Sequence, residues 1–335
     1  MKVWELPQFG FEHLRLAERP DPQPGPNEII IRISAVSLNY RDFDLLQGNY
    51  NPNVTLPFVP VSDAAGKVVA VGGSVTRFRV GDRVMGQFRQ RWLDGVPSPD
   101  AVMATLGTPL TGMLAEAAAL PEEGAVAVPF YLSDAEASTL PIAALTAWFA
   151  LVNDGCLKAG ETVLAQGTGG VSLFAAQISA ALGARVIVTS GSDEKLERVK
   201  RLGPFVCINY KNTPDWAREV VGMTSGRGAD HILEVAGGEN LRRSLECLAI
   251  GGHIAVIGFL DGKTAHLPIL PIIRKLAHIR GVAVGHTKSF EEMNRSFESH
   301  GIRPVIDATY SFADAPQAFR HMQRGPFGKI VILRE

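Results

Sequence analysis

The sequence is poor in the patterns that hold metals or disulfides. Three cysteines occur in 335 residues, Cys156, Cys207 and Cys247. Their odd number and wide spacing suit free thiols in a reducing compartment rather than a disulfide framework. There is no C-x-x-C pair and no H-x-x-x-H pair, and the eight histidines are scattered, so no zinc site is legible from ligand spacing. Charge of one sign is lacking too. The formal net charge is −1, which offers no positive field to nucleic acid or an anionic membrane. Arg89-Gln90-Arg91 and Arg242-Arg243 are short basic runs and read as solvated faces rather than a nucleic-acid stripe. Long apolar runs are absent: the longest, Leu140–Val152, falls short of the roughly 20 residues that span a bilayer. Met1–Glu5 shows no apolar leader core. The expectation is a cytoplasmic protein without nucleic-acid or membrane partners.

What is present is an ordinary globular composition, 46% hydrophobic and 20% charged, at a length that suggests two domains. The first ~125 residues read as mostly β. Glu28–Val36 is a β-rich run after the proline-rich Pro20–Pro26, and Lys67–Val71 and Asp82–Met85 are short strands beside glycine turns. Arg91–Gly112 is rich in proline and glycine and reads as a loop. From Ser133 the texture changes. Ser133 with Glu136 forms a capping-box pattern, and Pro141 should kink the helix or begin a second segment. Strands then alternate with helices: Thr162–Gln166, Arg185–Thr189, Val206–Asn209, His231–Val235 and His253–Ile257 are strands, while Val171–Leu182 and Asp193–Leu202 are helices. This rhythm implies a parallel sheet with right-handed crossovers, which binds ligands beyond the carboxyl ends of its strands. The tail, with strands near Ile302–Ile306 and Ile330–Leu333, returns to the β-rich style. A nucleotide domain inserted into a β-rich domain accounts for the order.

The stretch Gly167-Thr168-Gly169-Gly170-Val171-Ser172 fills a dinucleotide fingerprint. Gly167 permits the tight turn after the strand, Gly169 lets backbone approach a pyrophosphate, and Ser172 takes the third small position, usually Gly or Ala. The following helix N-terminus offers free N–H groups to the phosphates. The strand before and helix after make the pattern specific. An NAD site needs an acid near the end of the second strand. Here that position is Ser190, flanked by Thr189 and Ser192, with Lys195 nearby. Hydroxyls and a lysine suit a 2′-phosphate, which points to NADP(H). Asp193 and Glu194 read as first-turn residues that favour the helix dipole.

With these residues in hand, the chain resembles the medium-chain dehydrogenase/reductase superfamily, and within it the zinc-free quinone oxidoreductase branch, often named alcohol dehydrogenase-like. The resemblance runs through Val36–Asp42, Val59–Gly72, Val80–Val84, Leu145–Leu151, Gly167–Gln177, Gly251–Gly258 and Phe327–Ile332. It implies an α/β fold in which a Rossmann doubly wound parallel sheet, residues 131–285, is inserted into a GroES-like catalytic domain, residues 1–130 plus 286–335. Zinc members have a Cys where this chain has Asn39, His-Glu where it has Ser62-Asp63, and a third ligand near Ile142; the lobe with four structural cysteines is also missing. No metal site is therefore implied, and Asp63 is left a structural role, accepting local backbone hydrogen bonds. The resemblance places Asn39, Tyr40 and Thr146 beside the nicotinamide, Tyr210 near the adenosine phosphate, Val235 and Ala236 along the adenosine, Gly258, Phe259, Val284 and Gly285 in the nicotinamide pocket, and Lys329 closing over the cofactor. Tyr40 either serves substrate or cofactor or packs as a half-buried aromatic. Phe88 and Trp92 either wall the substrate cleft or pin a loop. A homodimer is implied, paired through the last strand of the nucleotide sheet, Arg280–Val284.

Without a Lewis-acid metal to stabilise an alkoxide, the hydride acceptor should be intrinsically electrophilic: a quinone or an α,β-unsaturated carbonyl. Asn39 and Tyr40 are the candidates to steady the developing oxyanion. Two alternatives stand beside this reading: an alcohol or carbonyl oxidoreductase with a nonstandard catalytic group, and an NADPH-binding structural or regulatory protein with vestigial activity.

Overall fold

A computed structural model describes residues 1–334. The chain divides into two compact units, Met1–Leu145 joined by Gly285–Glu335, and Thr146–Val284. The inserted unit thus begins at Thr146 rather than near residue 131, and the helical stretch that starts at Ser133 belongs to the first unit.

In the first unit an antiparallel pair, β1 (Lys2–Glu5) and β2 (Arg15–Glu18), precedes the long β3 (Glu28–Leu38). β3 is largely buried on both faces, which its run of isoleucines anticipates. Then come α1 (Tyr40–Leu46), β4 (Asp63–Val71), β5 (Arg83–Gly86), α2 (Pro99–Met103), β6 (Ala117–Pro121), β7 (Ala125–Ala127) and α3 (Asp134–Ala137). α2 is a single short helix inside the stretch expected to be loop, nucleated by Ser98, whose Oγ accepts the Ala101 N–H, and by Pro99 at the first helical position. The Ser133 capping box forms: its Oγ accepts the Glu136 N–H (3.2 Å) and the Glu136 carboxylate accepts the Ser133 N–H (2.9 Å). Pro141, which lacks an N–H, falls in a π-type turn over Leu140–Ala144.

The second unit is entered by α4 (Leu145–Trp148). Its strands β8 (Thr162–Gln166), β9 (Arg185–Ser190), β10 (Val206–Asn209), β11 (Ala229–Glu234), β12 (Leu248–Val256) and β13 (His278–Gly281) form one parallel sheet in the order β10-β9-β8-β11-β12-β13. The helices α5 (Gly170–Ala181), α6 (Asp193–Lys200), α7 (Trp216–Met223), α8 (Asn240–Cys247) and α9 (Ile269–Lys275) lie between them in sequence. The chain winds outward through β9 and β10, then returns to lay β11 on the other side of β8. That reversal is the switch point of a doubly wound Rossmann sheet. Leu164, Ile187, Ile208, Trp216, Ile232 and Leu248 form part of its core, each large side chain contributing about 1.5–3 kcal/mol by burial. β13 ends at Gly281, earlier than the expected Val284.

The chain closes with α10 (Thr287–His300), β14 (Ile306–Ser311), α11 (Ala315–Gln323) and β15 (Lys329–Leu333). β14 starts where the sequence reading had a strand ending. Pro304 has no N–H to give a ladder, and the pairing with β15 begins only at Ile306. The first unit's sheet runs β14-β15-β3-β4-β5-β7, with β6 also on β3. It is packed by Ile29, Ile31, Leu38, Val84, Leu120, Phe319 and Ile330. No described helix is long and apolar enough to cross a membrane.

Candidate active site

The glycine turn sits at the carboxyl end of β8, on the switch-point side. Gly167 has φ +80°, a conformation strained for any L side chain, and its N–H donates to the Thr189 carbonyl (2.7 Å), tying the turn to β9. Gly169 is different. It has no protein atom within 4 Å of where a Cβ would stand, so the protein's own packing does not require a glycine there. No side chain caps α5, which leaves the first-turn N–H groups of Gly170, Val171 and their neighbours to an external anion. Ser172, at the third fingerprint position, is buried, and its Oγ donates to the Gln166 carbonyl (2.5 Å). The hydroxyl is tolerated since it satisfies the last carbonyl of β8. Thr168 is buried beside the turn.

The second strand ends in buried Thr189 and Ser190. Ser190 Oγ accepts the Ser192 N–H (3.3 Å), and Ser192 Oγ caps α6 by accepting the Lys195 N–H (3.3 Å). The nearby Asp193 carboxylate is engaged by the amides of Asn209 (2.7 Å) and Asn212 (3.2 Å). Tyr210 closes on this loop: its hydroxyl lies 2.7 Å, and Lys211 Cε 3.0 Å, from where a Cβ on Gly191 would stand. Lys211, which sequence reasoning passed over, stands at the same loop; its only signal was its place after Tyr210. The open space at Gly169, the uncapped α5 and the small hydroxyl-bearing loop at Ser190–Ser192 fit a nicotinamide dinucleotide.

A buried network that the sequence did not announce joins the ends of β8 and β11. Glu234 accepts hydrogen bonds from the Ala236 (2.9 Å) and Gly237 (3.0 Å) N–H groups, from Asn240 Nδ2 (2.9 and 3.0 Å) and from Ser244 Oγ. Gln166 completes it, donating to Ser244 Oγ (2.7 Å) and accepting from Asn240 (2.8 Å). These bonds fix the Val235–Ala236 turn. Gly258 packs so tightly on it that a Cβ would stand 2.2 Å from the Val235 carbonyl oxygen. Phe259 carries the Lys263 ammonium 5.5 Å from its ring centroid. Val284 has φ +108°, a strained backbone for a β-branched residue. Thr146 is buried on α4.

In the first unit Asn39, Asp42, Ser62, Asp63 and Lys329 converge in a buried cluster. α1 presents Asn39, whose N–H donates to Asp42 (2.9 Å); the start of β15 brings in Lys329 and the start of β4 brings in Asp63. The Asn39 amide is clamped from both ends: its Oδ1 accepts from Lys329 Nζ (2.6 Å) and its Nδ2 donates to Asp63 (2.8 Å). Lys329 also donates to the Leu38 carbonyl (2.8 Å) and stands 3.9 Å from Asp63. Ser62 Oγ donates to Asp42 (2.9 Å). Burial pushes the Asp63 carboxyl up to about 7 against the pull of Lys329 and Asn39. Burial likewise lowers the Lys329 ammonium below its ordinary range, against the pull of Asp63 and Asp42.

Two expectations change here, and for Phe88 and Trp92 the geometry favours one of the two readings. Lys329, placed over the cofactor by resemblance, is 3% exposed and committed to Asn39 and Leu38. Asp63 is held by a side-chain amide more closely than by backbone: the Ile142 N–H reaches it only at 3.4 Å, and its Oδ1 has no partner among the described residues. Phe88 and Trp92 are buried packing residues. Phe88 lies against the Arg41 guanidinium (4.8 Å), and Trp92 pins its loop by donating to the Gly95 carbonyl (2.8 Å). Tyr40 is half-exposed at the start of α1, with no hydrogen bond to its hydroxyl among the described residues. Burial, and behind it Asp44, raises that hydroxyl above the ordinary tyrosine range, so it keeps its proton. Gly285 offers its carbonyl to the buried Gln87 amide (2.9 Å). An amide, a hydroxyl, two carboxylates that are already hydrogen-bonded and an ammonium do not fit zinc, which takes thiolate, imidazole and carboxylate ligands. Among the described residues no three His, Cys, Asp or Glu side chains group to hold a metal.

Comparison with known proteins agrees with this architecture. Residues 25–130 match the family model of the alcohol dehydrogenase GroES-like domain, and residues 170–299 that of the zinc-binding dehydrogenase. A zinc-type alcohol dehydrogenase-like protein of Schizosaccharomyces pombe is 41% identical over 331 residues, 96% of each chain. The quinone oxidoreductase of Sus scrofa is 31% identical over 326 residues, 93% of this chain and 91% of that one. The crystal structure of a Sinorhizobium meliloti protein assigned to the alcohol dehydrogenases superposes with a TM-score of 0.93 at 48% identity, covering 99% of this chain and 98% of that one. With its GroES-like and Rossmann-type domains and its glycine turn, the chain belongs to the medium-chain dehydrogenase/reductase superfamily of nicotinamide-dependent oxidoreductases.

Proposed function

We propose that this protein is an NADPH-dependent reductase that passes hydride, without zinc, to an α,β-unsaturated carbonyl or a quinone. The observation that carries this reading is the Lys329–Asn39–Asp63 clamp, groups unsuited to zinc, of which Asn39 and Asp63 stand at positions that the resemblance gives to ligands in zinc members of the superfamily. The quinone oxidoreductase among its relatives supports the acceptor class.

When bound, the reduced nicotinamide supplies the hydride. The Gly167–Val171 turn and the start of α5 bind the pyrophosphate. The hydroxyls of Thr189, Ser190 and Ser192, with Lys195, Tyr210 and Lys211, receive the 2′-phosphate, and no acid at position 190 repels it. An acceptor reduced without a Lewis acid must itself be electrophilic. The two ends of the Asn39 amide are held, so its second N–H is aimed rather than free to rotate. That N–H and the Tyr40 hydroxyl are the donors for the oxygen on which an enolate charge develops. Asn39 and Tyr40 would hold the oxygen as charge builds on it, and Tyr40, whose hydroxyl keeps its proton, or solvent beside it would supply the proton that the α-carbon takes.

The test is NADPH oxidation by chelator-treated protein against a panel of quinones and 2-enones. Turnover that survives chelation is the expected result. No turnover with any acceptor, despite NADPH binding, would overturn the reading in favour of an alcohol or carbonyl substrate or a non-catalytic role. The cofactor has its own check. Ser190→Asp should weaken NADPH binding by more than about tenfold while sparing NADH, measured by nicotinamide fluorescence; equal loss for both would sink the NADP assignment.

The same reading includes a homodimer through the free edge of β13 and a reducing, cytoplasmic setting, in keeping with three free cysteines.

A further inference from the structure

Arg41 and Arg89 make an uncompensated cationic pair in the first unit. The Arg41 guanidinium is spread against the 105–108 loop. Its Nη1 donates to Ser62 Oγ (2.7 Å) and the Leu106 carbonyl (3.3 Å), its Nη2 to Thr105 Oγ1 (3.4 Å) and the Thr108 carbonyl (3.1 Å). The rings of Tyr50 (5.1 Å) and Phe88 (4.8 Å) lie beside it. Its carboxylate neighbour is Asp42, 4.0 Å away and bonded to the same Ser62. Arg89 reaches the same place. Its backbone bridges to Thr105, and its head group lies 5.6 Å from the Trp92 ring. Burial, and to a lesser extent Arg41, disfavours its charge, with only Tyr50 acting the other way.

Arg89 is therefore not the solvated residue that its short basic run suggested. It is half-buried, yet among the described residues it forms no ion pair and no side-chain hydrogen bond, and the Nε of both arginines is buried without a partner. A guanidinium with its Nε buried and unpartnered carries a desolvation cost, while its two Nη groups, which have no acceptor among the described residues, are left to pair with a group from outside. An acceptor that arrives from outside accounts for it. Asp42 faces Arg41 and Lys329, and no carboxylate acts on Arg89, so the charge of Arg89 has no counterion among the described residues. The position is informative as well. Arg41 is next to Tyr40 in α1 and shares Ser62 with the buried cluster, so an anion at Arg89 adjoins the groups assigned to the reacting carbonyl.

We propose that Arg89, within the field of Arg41, binds a carboxylate carried by the substrate, so that the acceptor is a conjugated carbonyl compound bearing a carboxylate. This deepens the reductase reading and rests on it for the reaction, though not for the anion site. The planar fork of a guanidinium matches a carboxylate in two parallel hydrogen bonds, and the exposed ring of Tyr50 beside Arg41 suits a conjugated chain.

Two measurements test it on the full-length protein with NADPH. The first compares kcat/KM for 4-oxopent-2-enoate and its methyl ester. Wild type should favour the acid by at least about tenfold, and Arg89→Gln should abolish that ratio, with Arg89→Lys in between. A wild-type ratio near one, or equal losses for acid and ester in Arg89→Gln, would overturn the proposal. The second is calorimetric binding of 4-oxopentanoate, the saturated product, to the NADP⁺-loaded protein, with inorganic phosphate as competitor. Binding that disappears in Arg89→Gln supports the site even if neither enone is turned over, in which case the reductase reading fails alone. No binding to wild type, binding unchanged in the variant, or phosphate competing as well as the carboxylate would overturn it.

Discussion

Lys329 concentrates the electrostatics of the first unit. Its ammonium is buried and depends on Asn39, the Leu38 carbonyl and the nearby Asp63. Breaking a buried ion pair from one side leaves a charge unpaired, while removing both sides together is far milder. Above about pH 8, where Asp63 is ionised, Lys329→Met should therefore cost about 3 kcal/mol, and Lys329→Met with Asp63→Asn should recover most of that, as urea unfolding would show. Asp63 adds a pH signature. Its folded pKa, about 7, lies above the ordinary carboxylate value, so the native state keeps a proton that the unfolded chain releases. Its contribution to stability is full below about pH 4 and is lost as pH rises through about 7. Unfolding free energies between about pH 5 and about pH 8 should fall more steeply for wild type than for Asp63→Asn; parallel slopes would mean that Asp63 is ionised throughout. Two strained valines flank the assigned residues: Val61, φ +73°, immediately precedes Ser62-Asp63, and Val284, φ +108°, precedes Gly285. A β-branched residue held there is over-determined by its surroundings.

At the scale of the element, the β8–turn–α5 unit separates a glycine that the fold requires from one that the fold does not. Gly167 needs its positive φ, whereas Gly169 has an ordinary φ of −79° and open space at its Cβ. Gly169→Ala should change stability by less than about 0.5–1 kcal/mol. It should nevertheless weaken NADPH at least about tenfold, by placing a methyl group where the pyrophosphate approaches. Calorimetric unfolding beside a fluorescence titration checks both halves, and unaltered affinity would remove Gly169 from the site. This element was legible in advance because its information is local: strand, glycines and helix follow one another, and periodicity alone places Thr162–Gln166 and the start of α5. Elements were misjudged where a neighbour far along the chain decided. β14 starts at Ile306 because β15 pairs with it there. The polar cluster was invisible for the same reason, since Lys329 and Asn39 stand 290 residues apart and nothing around either announces the other. Arg89 was misread because burial, not sequence neighbours, sets its character. The missing zinc ligands and the absent acid at position 190 were readable, being identities rather than contacts.

At the scale of the whole molecule, the second unit leaves an unfinished surface. β13 is the last strand of its sheet, with one edge unpaired. The segment leading into it exposes Ile269, Leu270, Ile273 and Leu276 at 68, 52, 60 and 66%. A bare strand edge is an aggregation liability, and four exposed aliphatic residues within one short stretch mark an interaction surface. A net charge of −1 gives little repulsion to keep copies apart. We propose that β13 pairs with its own equivalent about a two-fold axis, which removes the bare edge because one patch meets itself and the contact closes, and that the aliphatic stretch leading into β13 lies in the same contact. Ile273 has no part in the cofactor or substrate residues, so Ile273→Glu tests the interface alone. Wild type should sediment as a dimer, and the variant should dissociate at micromolar concentration while binding NADPH as before. A wild-type protein that sediments as a monomer would leave the apolar segment in need of another partner and the edge of β13 in need of another cover.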